Sequence, residues 1–518
     1  MSGLQILVSL IVTGLAALAA YDIFQRKHAI LRNFPLIGHL RYLLEKIGPE
    51  LRQYIVTSND EERPFSRDQR RWVYASSKQE NSYFGFGTDN DLERSSGYII
   101  IKQSTFPVDD HAVDAPPQDP TSPIACAKQL GGARGRGKAF VPTSVVNISA
   151  MSFGSLSANA VAALNHGCQL AGCLHNTGEG GVSSHHLRGG ELIMQIGTGY
   201  FGCRDEHGRF SLERLVEACE KYPVRALEIK LSQGAKPGLG GVLPAAKVTP
   251  EIAAIRGVPV GKNCISPSRH TAFSDADSLL DFVELLASRT GLPVGIKSAV
   301  GELQFWEQLT DQMAATGRGV DFVTIDGGEG GTGAAPLVFS DHVAFPFKVG
   351  FVRVYQEFIR RELHHGTVFI GSGRLGFPED ALLAFALGCD MINVAREAML
   401  SIGCIQAQRC HTGHCPTGVA TQSRWLMRGL DPTLKAARLA NYVTALRHEL
   451  LRLAHACGRV HPGLVTADQL EILGEQYRSV SAAELFHTTS FPDWGLPSPE
   501  DCEAVRGRRH EVRTSQQS

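Results

Sequence analysis

The sequence predicts an α/β fold, a (β/α)8 barrel of the TIM type with an N-terminal membrane-anchor helix and extension and a C-terminal helical extension. Three observations point there. Short apolar, β-rich runs recur eight times between residues 145 and 394, with longer stretches of helical periodicity between them, the alternation that builds parallel sheets. The runs end in glycine and polar residues, as barrel strands do at the face that holds ligands. No G-x-G-x-x-G follows an early run, so the open doubly wound sheet lacks its usual mark.

The chain begins with an apolar stretch, residues 4–20, broken only by Gln5, Ser9, Thr13 and Gly14. Its length is near the lower limit of a membrane span, ~17–25 residues. Ala17-Leu18-Ala19 has the form of a signal cleavage site, but the positive charges Arg26, Lys27, His28 and Arg32 follow the stretch rather than precede it. A retained single-span anchor with the catalytic part on the cytoplasmic side is therefore expected, ahead of a cleaved signal or a buried helix. Residues 1–30 form this anchor and its basic flank, and residues 31–125 an N-terminal extension with charge-rich stretches such as 59–63.

The barrel is expected over residues 126–430. Its strands are read at 145–151, 172–175, 192–196, 226–231, 293–297, 322–325, 367–370 and 391–394, with amphipathic helices at 157–170, 212–221, 278–288, 304–315 and 378–387. Residues 431–518 form the C-terminal extension, a helix over 434–457 followed by a polar tail, expected to be disordered, from about residue 506.

Composition excludes several functions. Lys and Arg total 51 against 52 Asp and Glu, a formal net charge of −1 that gives no electrostatic footprint for nucleic acid. Hydrophobic content of 43% and charged content of 20% are those of a globular chain. Glycine is the outlier, 54 of 518 residues against a usual ~7%, and it gathers in a few loops where backbone can approach a ligand. The twelve cysteines form no dense disulfide framework, which suits a reducing compartment.

The strand ends carry the candidate chemistry. They read Met151-Ser152, Asn176-Thr177-Gly178-Glu179, Gln195 followed by Gly199-Tyr200, Lys230 followed by Gln233 and Lys236, and Lys297. The last three end in Gly330-Gly331-Thr332-Gly333, Gly371-Ser372-Gly373-Arg374 and Ala395-Arg396. Small residues free backbone N–H groups to converge on one anion, and Arg374 and Arg396 supply charge, so a phosphate-bearing ligand is expected. Lys297, on an apolar strand, needs an anionic or electron-rich partner. Cys404, Cys410 and Cys415 stand at C-x5-C-x4-C with Pro416 following. Three readings of them fit: an iron–sulfur cluster, a zinc ion with His411 or His414 as fourth ligand, or buried free thiols.

Taken together these motifs are recognisable. The sequence resembles the FMN-binding synthase domain of glutamate synthase, and most closely the stand-alone FMN-binding glutamate synthase family proteins. The matching pieces are 150–155, 176–181, 233–238, 330–333 and Cys404 through Gln422, in the family's order over roughly residues 100–460. The resemblance implies FMN on the barrel beside a 3Fe-4S cluster held by Cys404, Cys410 and Cys415. Reduced FMN, fed through that cluster, would transfer hydride to 2-iminoglutarate, formed from 2-oxoglutarate and ammonia, to give L-glutamate. Met151, Ser152, Asn176, Gln195, Lys297 and the phosphate loops would hold FMN, while Lys230, Gln233, Lys236 and Glu179 would face the substrate.

Two departures bear on the substrate. Tyr200 stands where the family carries an arginine for a substrate carboxylate, and Glu228 where it carries glutamine. Both admit a different imine or 2-oxo acid, or a non-catalytic electron-transfer subunit. An oxidase of 2-hydroxy acids would need a histidine base that the last two strand ends lack. With Ser2 after Met1 no N-terminal cysteine nucleophile is expected, and no nicotinamide fingerprint is present. Ammonia is then expected from solution or a separate subunit, and electrons from ferredoxin or a separate reductase.

Overall fold

The computed structural model of the chain describes residues 2–52, 62–80, 87–88, 90–93, 95–109, 122–475 and 477–505. Eight strands close into a barrel: β1 (Val146–Ile148), β2 (His175–Asn176), β3 (Leu192–Ile196), β4 (Val224–Lys230), β5 (Val294–Ser298), β6 (Phe322–Asp326), β7 (Val368–Ser372) and β8 (Met391–Val394). Each pairs in parallel with its neighbours in chain order, and β8 returns to β1 through Ile392↔Val146 and Val394↔Ile148. β3, β5, β6, β7 and β8 are buried at every residue, which is why they read as continuous apolar runs rather than alternating ones. Gly295 on β5 is required by packing: a Cβ there would lie 2.4 Å from the Phe322 ring.

All eight expected strands are present, but the first two are shorter than read. Residues 149–151 leave the ladder after β1 and turn into the mouth of the barrel, and β2 begins only at His175. The five expected helices form as Ala158–Ala171, Leu212–Lys221, Ala276–Thr290, Gln304–Thr316 and Pro378–Ala386. The first is capped by Ser157, whose hydroxyl accepts the Ala160 N–H, and is stopped by Gly172 at φ 63°. A helix the sequence reading passed over, Phe347–Ile359, lies between β6 and β7 and buries Phe347, Phe351, Val354, Tyr355 and Phe358 on one face.

The extensions wrap this core. Four helices precede the barrel: α1 (Gly3–Phe24), α2 (Ala29–Asn33), α3 (Gly38–Arg52) and α4 (Arg67–Lys78). Among the described residues α1 alone is long and apolar enough to cross a membrane, with a mean hydropathy of 2.1 and nothing in that window buried. An antiparallel sheet of Ile99–Ile101, Leu470–Leu473 and Ser479–Ser481 joins the N-terminal extension to the C-terminal one. The polar tail beyond residue 505 lies outside the described residues.

The C-terminal helix Pro432–Ala456, capped by Asp431, packs along Ala158–Ala171. The two backbones meet at Gly167, where a Cβ would sit 2.7 Å from Leu439 Cδ2 and 2.9 Å from the Ala436 carbonyl oxygen. Gly167→Val is therefore expected to cost about 1–3 kcal/mol by overpacking, read as a lowered urea midpoint with the helical circular dichroism of the folded state retained.

Candidate active site

The carboxyl ends of the strands open into a cavity of about 480 Å³, within the usual range for a small-molecule site, ~300–1,000 Å³. Its walls come from the ends of β1 and β3–β8, the loop after β2, the insertion between β4 and β5, the cysteine loop, and Pro64 and Phe65 of the N-terminal extension.

At one end sits a cationic group. Lys230 Nζ lies 3.2 Å from Glu179 Oε2 and donates to Gln233 Oε1 at 3.2 Å. Burial alone would raise the Glu179 pKa, but Lys230, Lys236 and Arg256 outweigh it and bring it below the ordinary carboxylate value. Lys236 is buried, donates weakly to the Gly240 carbonyl at 3.3 Å, and is brought down to about 8 by burial and then by Lys230. Arg256, from the insertion, is 5% exposed and donates to the Phe153 carbonyl at 3.1 Å and to Ser152 Oγ at 3.4 Å. Its Nε has no hydrogen-bond partner, and no carboxylate pairs with it among the described residues. The sequence reading missed Arg256, which belongs to no motif and reaches the cavity only through the fold of the insertion.

The middle of the cavity is held by Lys297, whose Nζ is 3.4 Å from Asp326 Oδ2. The partner expected for this lysine is thus a carboxylate of the next strand. Asp326 also accepts the Gly234 N–H and the Ser372 hydroxyl. The lining also brings Arg374 and Arg396 together with Gly330, Gly331, Thr332, Gly333, Ser372, Gly373 and Ala395, and the Gly331 carbonyl accepts from Gln233 Nε2 at 3.4 Å. Arg396 donates to the Glu329 carbonyl, and burial lowers its pKa. Neither arginine is in an ion pair among the described residues, and Arg374 Nε is buried without a partner. A Cβ at Gly331 would strike Arg396 Cδ at 2.5 Å. Both guanidinium groups lie over the Phe65 ring, at 5.4 and 5.0 Å, a wall that sequence reasoning also missed. Gly371, expected in this group, is in the barrel wall instead, packed against Leu375, Phe347 and Cys389.

The cysteine loop borders this group. Cys404 and Cys410 line the cavity and Cys415 is buried behind them. Burial first, and then the neighbouring Cys415 and Cys410, push the Cys404 thiol up to about 12, so the three sulfurs share one electrostatic site. They do not converge as ligands of one ion. Among the described residues the group of three that lies within 4.8 Å is His364, His365 and Asp493, far from this loop in sequence. Three sulfurs on a single zinc would sit ~3.8 Å apart, from a Zn–S length of ~2.3 Å. Lys247, also unforeseen, donates to the carbonyls of Cys410 at 2.7 Å and Ala420 at 3.3 Å and holds the loop to the insertion.

A family model described as the conserved region in glutamate synthase matches residues 138–460. The chain belongs to the glutamate synthase family. It is 39% identical to the glutamate synthase large subunit-like protein YerD of Bacillus subtilis over 84% of this chain and 88% of that one. The archaeal glutamate synthase [NADPH] of Methanocaldococcus jannaschii is 36% identical over 60% of this chain, and the match spans 59% of the archaeal protein's length. The ferredoxin-dependent glutamate synthase of Cyanidium caldarium is 33% identical over 53% of this chain and 18% of its own. Family membership makes the chain an oxidoreductase of the glutamate synthase type.

Both departures from the glutamate synthase pattern lie off the cavity surface. Tyr200, expected to face the substrate, is 1% exposed. Its hydroxyl accepts the Thr271 and Ala272 N–H groups at 3.0 Å each. His270 Nε2 faces the Lys230 carbonyl at 2.9 Å and must donate to it, and burial holds the ring neutral by lowering its pKa to about 4. Nδ1 is then an acceptor for the Tyr200 hydroxyl at 3.2 Å. Tyr200 braces the backbone beneath Lys230 and is not part of the cavity lining.

Glu228 neither lines the cavity nor pairs with Lys230, whose ion partner is Glu179. It lies fully buried inside the barrel, accepting from Asn176 Nδ2 at 2.7 Å, Gln195 Nε2 at 2.6 Å and the Thr324 hydroxyl at 2.8 Å. Asn176 is thereby turned away from the cavity it was expected to line, whereas Gln195 lies on the cavity wall above the network. A glutamine at 228 satisfies the same partners, its oxygen accepting from both amides and its nitrogen donating to Thr324 Oγ1. Glu228→Gln should therefore change stability by less than about 1 kcal/mol, whereas Glu228→Ala, which strands three buried donors, should cost at least ~1–3 kcal/mol; chemical denaturation of the two variants checks the contrast.

Proposed function

We propose that this chain reduces 2-iminoglutarate, formed from 2-oxoglutarate and ammonia, to L-glutamate, with FMN in the cavity and a 3Fe-4S cluster on Cys404, Cys410 and Cys415. The observation that carries the reading is the charge at the substrate end. Lys230, Lys236 and Arg256 face one carboxylate, Glu179, leaving an excess suited to a dicarboxylate. The donor set supports FMN: an orphaned arginine nitrogen and a glycine cradle for its phosphate, Lys297 and Gln195 for its ring, and Met151 and Ser152 on the wall beside them. The spread of the three thiols supports a cluster over a single ion. When bound, FMN would supply hydride and the cluster would supply single electrons to it.

The chain's own residues do the rest. Arg256, with its free Nε, grips one substrate carboxylate, and Lys236 the other. Lys230, fixed through Glu179, Gln233 and the His270–Tyr200 brace, orients the imine. Lys236 holds a proton that it can release near neutral pH. The expected electron source is ferredoxin or a separate reductase, with ammonia from solution or a separate subunit. The α1 helix would anchor the protein in a membrane with the barrel on the cytoplasmic side.

Anaerobically purified protein should show flavin absorption and a three-iron spin-resonance signal, and the chemically reduced protein should reoxidise on addition of 2-oxoglutarate and ammonium with glutamate formed. Flavin that stays reduced would rule out this substrate. Cys410→Ser should lose the cluster iron while retaining flavin. Arg256→Ala should raise KM for 2-oxoglutarate about 10–100-fold, from a charge-assisted pair of ~1.5–3 kcal/mol. Because Lys236 is cationic below about 8 and neutral above it, KM for 2-oxoglutarate should rise as pH passes from 7.5 to 9 and stay flat in Lys236→Arg.

A further inference from the structure

The segment that follows α1 does more than carry charge. Asp22, in the last turn of α1, is fully buried, and its carboxylate accepts the Leu36 N–H at 3.0 Å and faces His39 Nε2 at 3.0 Å. Leu36, at φ 64°, makes the corner between α2 and α3. The end of α1 and the start of α3 are thus one fixed unit, because freeing either would leave the Asp22 carboxylate buried without partners.

That unit also carries an exposed apolar row on α3. Ile37, Leu40 and Leu44 recur at helical spacing and are 72%, 62% and 60% exposed, with Leu43 at 53% beside them. Trp425, 53% exposed, is bonded to the same unit, its Nε1 donating to the Asn33 carbonyl at 3.2 Å and the Arg428 guanidinium 3.2 Å from its ring centre. Arg26, Lys27 and Lys46 are exposed on the same segment, Arg26 lying 3.6 Å from Asp431 and Lys46 following the exposed Glu45. An exposed apolar row, exposed basic residues and a half-exposed tryptophan, bonded through Asp22 and Asn33 to a 22-residue apolar helix of which nothing is buried in its apolar window, match a bilayer interface. A water-soluble partner would account for the α3 face but not for α1.

We propose that α3 and Trp425 lie in the headgroup layer of an anionic bilayer, a second attachment that rests on the reading of α1 as a membrane anchor. One consequence concerns the cysteine loop. Asn33 Nδ2 donates to the Pro416 and Leu426 carbonyls at 2.9 Å each, so the loop that follows Cys415 is bonded directly to this docking unit. The barrel is held against the membrane by its cysteine loop rather than swinging on a tether.

The test uses the full chain reconstituted into vesicles of equal parts phosphatidylcholine and phosphatidylglycerol, with and without bromine near the headgroup end of the acyl chains. The chain should float with the vesicles, and bromine should quench a tryptophan signal that disappears in Trp425→Phe and falls at least twofold in the double variant Leu40→Asp, Leu44→Asp. Flotation with quenching unaltered in both variants overturns the docking proposal and leaves the anchor standing. Failure to float at all overturns the anchor reading, and the docking proposal with it.

Discussion

Parallel closure is the constraint on which the rest depends. Because β8 pairs with β1 in the same sense as every other neighbour, all eight carboxyl ends must open at one mouth, and every loop that follows a strand contributes to one site. Glu179, Lys230, Lys297, Arg374 and Arg396 are scattered over more than two hundred positions in sequence and share one cavity for this reason alone. The barrel interior below them is filled, not hollow: Glu228 and its three donors occupy the space between β2, β3, β4 and β6 and form a polar floor.

That cavity is electrostatically incomplete. Its described lining carries seven basic side chains, Lys230, Lys236, Lys247, Arg256, Lys297, Arg374 and Arg396, against the carboxyl groups of Glu179, Asp326 and Glu397. Buried cations without counter-charges are costly, and Arg256 and Arg374 each keep an unpartnered buried Nε. Such a surplus persists where anions fill it in the working protein, and its distribution is informative. Lys230, Lys236 and Arg256 act together on Glu179, whereas Arg374 and Arg396 act on each other and on Glu329, so the surplus falls into two groups, each suited to an anion.

The barrel was legible because its strands are short, apolar and bounded by glycine, a pattern that depends only on burial. The helices 212–221 and 304–315 were legible by period. Phe347–Ile359 was not read, because the glycine-rich loop and Pro346 before it masked an aromatic face of helical spacing. In the site, residues within motifs reached the cavity, whereas Arg256, Lys247 and Phe65 became visible only in three dimensions, since each arrives from an insertion or extension that no strand end marks. Asn176, Gly371 and Tyr200 went the other way. A strand end supplies residues to both the mouth and the wall, and sequence position alone does not say which side of the last turn a side chain takes.

Tyr200 and Arg256 are best understood together. A third-strand arginine would reach the substrate from the wall that Tyr200 occupies, yet here that wall is sealed by the phenol hydroxyl's bonds to Thr271, Ala272 and His270. Arg256, from the insertion, lies nearby over the Phe201 ring at 5.1 Å. With Tyr200 in place of an arginine, that wall carries no charge of its own, and Arg256 is the guanidinium that lines the cavity beside it, while Tyr200 stiffens the backbone under Lys230. Glu228, likewise, adds its charge to the floor rather than to the substrate surface, where Asn176 and Gln195 cover it. The two substitutions that argued against a dicarboxylate in the sequence both prove to be features of the scaffold, and the surface a substrate would meet remains cationic.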